Sequence, residues 1–114
     1  MGGMTVLYDE DCAFCTRIAA RLARRPGVAA EPIGSAAGAR MLRDLTASER
    51  YAAVHVVDAH GRRSTGGAAL PRLLEALPGG ALPAALCRAF PRPTERLYRM
   101  VARNRSHIAR LTRL

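Results

Sequence analysis

Two cysteines that stand two residues apart, Cys12 and Cys15, constrain the fold of this chain more than any other feature. Residues 4–8, just before them, form a short apolar run that predicts a buried strand. Residues 12–24 carry apolar side chains at helical spacing opposite a face of arginines, which predicts an amphipathic helix. Both thiols are therefore expected at the start of a helix that follows directly on a strand.

A helix start changes the chemistry of the first thiol. The backbone N–H groups of the first turn lack partners within the helix, and the helix dipole is positive at that end. Both favour the thiolate, and they can lower a thiol pKa from about 8.5 to between about 7.5 and 3.5. A C-x-x-C pair at a strand-to-helix junction is typical of thioredoxin-type redox proteins. We therefore expect Cys12 to be the nucleophile and Cys15, one turn later, to resolve the mixed disulfide.

Three carboxylates stand beside these thiols, at Asp9, Glu10 and Asp11. Their negative field opposes the effect of the helix dipole on the thiolate. Asp11 is placed to cap the predicted helix, and this structural role is favoured for it. Two roles stay open for Asp9. It either satisfies N–H groups of the turn or accepts the proton of Cys15 in the resolving step.

The pattern of the following residues predicts one small α/β domain. The predicted elements are a strand over 28–33, a helix over 39–45, a hairpin of strands over 53–58 and 62–65, and a helix that includes residues 70–77. Together with the first strand and helix they give the order β-α-β-α-β-β-α. This is the element order of a thioredoxin-like domain, and it ends near Leu77.

The remaining residues, 78–114, predict a C-terminal extension of two helices packed on the core formed by residues 1–77. The first helix is expected over 82–90. A Pro-Arg-Pro break follows, and then a long helix capped by Thr94. Asn104 is expected as a polar member of the apolar stripe of that long helix.

The net charge of +9 comes entirely from arginine, since the chain contains no lysine. Either a bias of composition or an anionic partner explains this charge. No aromatic residues interleave with the arginines to stack on bases, so we do not expect nucleic acid to be the partner. The chain shows neither a signal-peptide pattern nor an apolar run of the roughly 18 residues that cross a bilayer. We therefore expect a cytoplasmic protein, in which a close cysteine pair is catalytic or binds metal.

Three blocks of residues, taken together, resemble one family. The blocks are Tyr8-Asp9-x-x-Cys12-x-x-Cys15, then Val56-Val57-Asp58-x-x-Gly61 with Gly67-x-Ala69-Leu70, and finally Pro91-Arg92-Pro93 with Tyr98-x-x-Val101-Ala102-Arg103-Asn104-Arg105. They resemble the DCC family of thiol-disulfide oxidoreductases, which are small thioredoxin-like proteins named for an Asp and two Cys near the N-terminus. The resemblance implies a thioredoxin-like fold with a C-terminal helical extension and a dithiol–disulfide activity.

This interpretation implies no organic cofactor. The substrate is expected to be a disulfide in a protein or a small molecule, and a thiol donor such as thioredoxin or glutathione would supply the electrons. We expect the arginines in the Arg103-Asn104-Arg105 block to be solvated, as charge runs usually are.

Two departures leave other functions open. Glu10 replaces the glycine that is usual after the family's aspartate, and Tyr51-Ala52-Ala53 stands where thioredoxins and glutaredoxins carry a cis-proline before the third strand. In those relatives the proline helps to dock the partner's backbone and keeps metal off the thiols. The alternatives are a metal-binding C-x-x-C protein and a non-enzymatic thioredoxin-like binding module with a basic surface.

A closed zinc site within the chain would need four ligands. The remaining soft ligands are widely spaced: Cys87, His55, His60 and His107. We expect Cys87 to be a small buried residue. We expect His55 and His60 to be structural or solvent-facing.

Overall fold

The computed structural model describes residues 3–112, apart from the side chains of Ser106, Ala109 and Thr112. Within these residues four strands form one sheet: β1 (Met4–Tyr8), β2 (Val28–Pro32), β3 (His55–Asp58) and β4 (Arg63–Thr65). Their order in the sheet is β2-β1-β3-β4. β1 pairs parallel with β2 and antiparallel with β3, and β3 pairs antiparallel with β4. The mixed sheet surrounded by helices is the thioredoxin-like α/β fold that the sequence predicted.

Seven helices and one 3-10 turn accompany the sheet in the part of the chain that the structure describes. They are α1 (Ala13–Leu22), α2 (Ala36–Met41), α3 (Ala47–Tyr51), the 3-10 turn (Gly66–Ala69), α4 (Leu70–Glu75), α5 (Ala81–Ala89), α6 (Pro91–Arg103) and α7 (Arg105–Thr112). The predicted element order is confirmed, with α3 and the 3-10 turn as additions. The helix predicted over 39–45 was placed too late, because Ser35 caps α2 by accepting a hydrogen bond from the Gly38 N–H at 3.2 Å.

The core lies on both faces of the sheet, because neighbouring residues of each central strand point to opposite sides. On one face Val6 and Val56 pack with Leu22 of α1. On the other face Leu7 and Val57 form a cluster with Ile33 and Leu42, which flank α2. The start of α1 is thereby fixed at the carboxyl end of β1, where the two cysteines lie.

Up to residue 112 the C-terminal extension has three helices, α5, α6 and α7, so the expectation of two was wrong. α6 ends at Arg103, and Asn104 interrupts the helix with φ −109° and ψ 16°. The side-chain amide of Asn104 donates a hydrogen bond to the Met100 carbonyl at 2.8 Å, which helps to end α6. Periodicity alone could not show this break, since the apolar stripe continues through it.

Thr94 does not cap α6, as the sequence had predicted. The helix begins three residues earlier at Pro91, whose fixed φ suits a first helical position. Thr94 is buried, and its hydroxyl donates a hydrogen bond to the Cys87 carbonyl at 3.4 Å.

These helices pack on the rest of the domain at several places, and α5 packs on α4. α6 packs on the 3-10 turn, where the Gly67 N–H donates a hydrogen bond to the Glu95 carboxylate at 2.8 Å, and α7 packs on α1. The division of the domain at residue 77 stays a prediction. Among the described residues no helix combines the length and apolar character needed to cross a bilayer.

Candidate active site

Cys12 occupies the N-cap position of α1. Its backbone is extended, with φ −102° and ψ 112°, and its Sγ accepts a hydrogen bond from the Cys15 backbone N–H at 3.2 Å. The expectation that Asp11 caps this helix was wrong, because the cysteine sulfur itself receives the N–H of the first turn. The Cys12 sulfur therefore lies at the N-terminal end of α1 and accepts one of the N–H groups of the first turn.

Cys15 lies in a different environment from Cys12, although the two residues are close together. Burial raises the pKa of the Cys15 thiol to about 12, and a hydrogen bond between the Cys15 thiol and the Cys12 side chain and the negative charge of Cys12 act in the same direction. The guanidinium of Arg105 acts in the opposite direction, and the charge of Asp9 adds to the rise. Cys15 therefore keeps its proton at neutral pH until a base removes it.

Arg105, the first residue of α7, joins this site from the far end of the chain. Its Nη1 lies 4.0 Å from the Cys15 sulfur, and its Nη2 lies 3.6 Å from the Asp9 carboxylate. The expectation of a solvated arginine was wrong for this residue, whereas Arg103 is exposed. The only sequence signal for Arg105 was its place in the third block of the family resemblance.

The carboxylates before α1 serve different purposes. One oxygen of Asp9 accepts a hydrogen bond from the Asp11 N–H at 2.9 Å, which is the first of the two roles predicted for it, that of satisfying an N–H of the turn. Its other oxygen faces Arg105. Glu10 reaches away from the thiols and accepts a hydrogen bond from the Gly34 N–H at 2.9 Å. The charge of Glu10 thus ties the loop before α1 to the loop after β2.

The family comparison agrees with this geometry. The family model of the DCC1-like thiol-disulfide oxidoreductases matches residues 6–111. The chain belongs to this family. No curated protein and no solved structure matches it.

A cavity of about 420 Å³ opens beside the cysteine pair of this DCC1-like protein. Helix α1, the segment before β3, α4 and α6 form its walls. Most of the wall side chains are apolar, among them Phe14, Ile18, Leu73, Leu74, Leu97 and Val101. The charged side chains on the wall are Asp9 and Arg105, which lie beside Cys15.

The third cysteine of this DCC1-like chain, Cys87, also lines the cavity and is half-buried. Of the histidines that sequence reasoning considered, His55 is buried in β3 and has a structural role, while His60 is exposed in the hairpin turn. Within residues 3–112 no three side chains of His, Cys, Asp or Glu come together as a group that could hold a metal ion.

Proposed function

We propose that this chain catalyses thiol-disulfide exchange, with Cys12 as the nucleophile and Cys15 as the resolving residue. The observation that carries the proposal is the contrast between the two thiols. The Cys12 sulfur accepts an N–H at the positive end of α1, whereas the pKa of Cys15 is raised by burial to about 12. Cys12 is thus suited to attack as a thiolate, and Cys15 stays protonated until the mixed disulfide has formed.

In the first step the Cys12 thiolate attacks one sulfur of a substrate disulfide. The substrate S–S bond breaks, one thiolate leaves, and the other half of the substrate stays bound to Cys12 as a mixed disulfide. In the second step Cys15 loses its proton and attacks the Cys12 sulfur, which releases the second thiolate. The substrate has then gained two electrons, and the protein holds a Cys12–Cys15 disulfide.

A thiol donor such as thioredoxin or glutathione would return the protein to the dithiol form. The same steps in reverse would allow the oxidised protein to form a disulfide in a dithiol substrate. We place this exchange in the cytoplasm, where such donors keep thiols reduced.

Asp9 and Arg105 support the second step in this proposal. Because the pKa of the Cys15 thiol is raised, the attack requires a proton acceptor close to it. The Asp9 carboxylate lines the same end of the cavity and is our candidate for that acceptor. Arg105 lies 4.0 Å from the Cys15 sulfur and would stabilise the thiolate as it forms.

Trapping of the mixed disulfide tests this proposal. A Cys15→Ser variant, treated with glutathione disulfide, should accumulate one glutathione on Cys12, because no thiol remains to resolve it. A Cys12→Ser variant should accumulate none at this site, and Cys87→Ser serves as the control that keeps both thiols of the C-x-x-C pair and should form the Cys12–Cys15 disulfide. Peptide mass analysis that finds glutathione on Cys15 of the Cys12→Ser variant at the same rate would contradict the assignment of roles.

A further inference from the structure

A cavity of about 420 Å³ with mostly apolar walls lies beside Cys15. We propose that it receives the apolar arm of a low-molecular-weight disulfide, so that the substrate is a small molecule with an aliphatic or aromatic body. This inference rests on the proposed function and adds the class of substrate to it.

The dimensions and chemistry of the cavity fit such a ligand. Its volume of about 420 Å³ falls within the range of about 300–1,000 Å³ that is typical of small-molecule sites. Small-molecule sites are lined mainly by apolar and aromatic side chains with a few polar groups, as this cavity is. Cys15 and Phe14 form part of the wall, so a substrate sulfur held at Cys12 would lie next to the opening of the cavity.

An extended polypeptide is a poorer fit, because both backbone groups of Val54, which lies on the cavity wall directly before β3, are already hydrogen-bonded. The segment before β3 lies on the cavity wall, as does α1. There the Val54 N–H donates a hydrogen bond to the Tyr98 hydroxyl at 3.0 Å, and the Val54 carbonyl accepts one from the Gly66 N–H at 2.9 Å. Peptides that bind as added strands gain their affinity from main-chain hydrogen bonds of this kind. The Tyr98 hydroxyl of α6 occupies the Val54 N–H, so a peptide cannot pair with it. We therefore expect the cavity, and not a strand edge, to recognise the substrate.

The charges beside Cys15 indicate how the substrate would be oriented. Asp9 and Arg105 lie 3.6 Å apart and oppose each other's field, so this end of the cavity does not demand a charged ligand. The polar disulfide would lie at this end, and the apolar arm would extend between Ile18 of α1 and Val101 of α6. Selectivity would then come from the length of the arm.

A series of alkyl 2-pyridyl disulfides, from methyl to hexyl, tests the proposal. The prereduced protein in a Cys87→Ala background is mixed with each reagent, and release of pyridine-2-thione gives the rate of attack by Cys12. Each rate is divided by the rate of dithiothreitol with the same reagent, which removes differences in intrinsic reactivity. We expect this ratio to rise by about two- to fourfold for each added methylene, as burial of a methylene in an apolar site predicts.

Two variants locate the effect. Ala102→Phe, on the cavity wall, should abolish the dependence on chain length, whereas Ala85→Phe, exposed on α5 and away from the cavity, should keep it. If circular dichroism shows that Ala102→Phe does not fold, Val101→Trp fills the same space.

The outcomes separate this inference from the proposed function. A flat series with the Cys12–Cys15 disulfide still formed by the methyl reagent would overturn the substrate class and leave the proposed exchange standing. A steep series that survives filling of the cavity would also overturn it, because the alkyl arm would then bind elsewhere. Failure of every reagent to produce the disulfide would overturn the proposed function itself.

Discussion

The guanidinium of Arg105 lies 4.0 Å from the Cys15 sulfur, although 90 positions separate the two residues in the chain. Arg105 can reach this position because α7 packs on α1, the helix that carries Cys15. The C-terminal extension therefore supplies a charge to the redox site in addition to covering the core. This contact connects the third block of the family pattern with the first.

Replacement of Arg105 by glutamine should raise the pKa of Cys15 further. The guanidinium lowers this pKa against the larger effects of burial and of Cys12, so its loss removes an opposing positive charge. The change is measured as the pH dependence of Cys15 alkylation in a Cys87→Ala background. Arg105→Lys, which keeps the charge, should restore most of the wild-type profile, and Arg103→Gln is the exposed control. Identical profiles for wild type and Arg105→Gln would show that Arg105 exerts no field at the sulfur.

Gly67→Ala should destabilise the docking of α6. A Cβ at position 67 would lie 2.9 Å from the Glu95 Cα, and the Gly67 N–H already donates a hydrogen bond to the Glu95 carboxylate. Steric conflict of this kind costs about 1–3 kcal/mol in the free energy of unfolding. Urea unfolding measures the loss, with Ala68→Ser on the exposed side of the same turn as the control. An unchanged free energy of unfolding for Gly67→Ala would mean that α6 can shift without cost.

His55 should make the domain less stable as the pH falls from about 7 to about 5. The ring is buried, its Nε2–H donates to the Arg50 carbonyl at 2.9 Å, and its Nδ1 accepts from the Thr65 hydroxyl at 2.9 Å. Burial lowers the pKa of His55, so the neutral form is favoured in the folded state. An unfolded histidine titrates near pH 6.5.

The sign follows from proton binding. Below about pH 6.5 the unfolded chain takes up a proton at His55 before the folded protein does, so stability falls with decreasing pH until the folded pKa is reached. Urea unfolding at several pH values between about 7.5 and 5 measures the slope. A His55→Gln variant is expected to show a shallower slope over this interval. Equal slopes in the variant and the wild type would assign the pH dependence to other groups.

Local sequence patterns predicted the part of the site that β1 and the start of α1 form. The strand predicted over 4–8 is β1, and the two cysteines lie at the start of α1, because an apolar run and a helical repeat are properties of neighbouring residues. Helix α3 was missed although it carries a capping box, in which Thr46 and Glu49 each accept the other's backbone N–H. The spacing of Thr46 and Glu49 in the sequence is typical of a capping box and could have predicted the start of α3.

Contacts between distant residues could not be predicted in the same way. The Arg105–Cys15 contact and the Val54–Tyr98 hydrogen bond depend on how α6 and α7 pack, and no periodicity encodes that packing. The prediction that Asp11 caps α1 was wrong for a related reason. Asp11 had the more usual capping side chain, but the turn held by Asp9 brings the Cys12 sulfur to the Cys15 N–H instead.

A redox titration of Cys12 and Cys15 tests the central claim most directly. Metal-free protein in a Cys87→Ala background is equilibrated in glutathione buffers of graded potential, and the free thiols are alkylated and counted by mass. The proposed function predicts one reversible two-electron transition at a defined potential, with both thiols lost together. Two cysteines that remain free thiols in every buffer, or that become glutathionylated independently of each other, would contradict it.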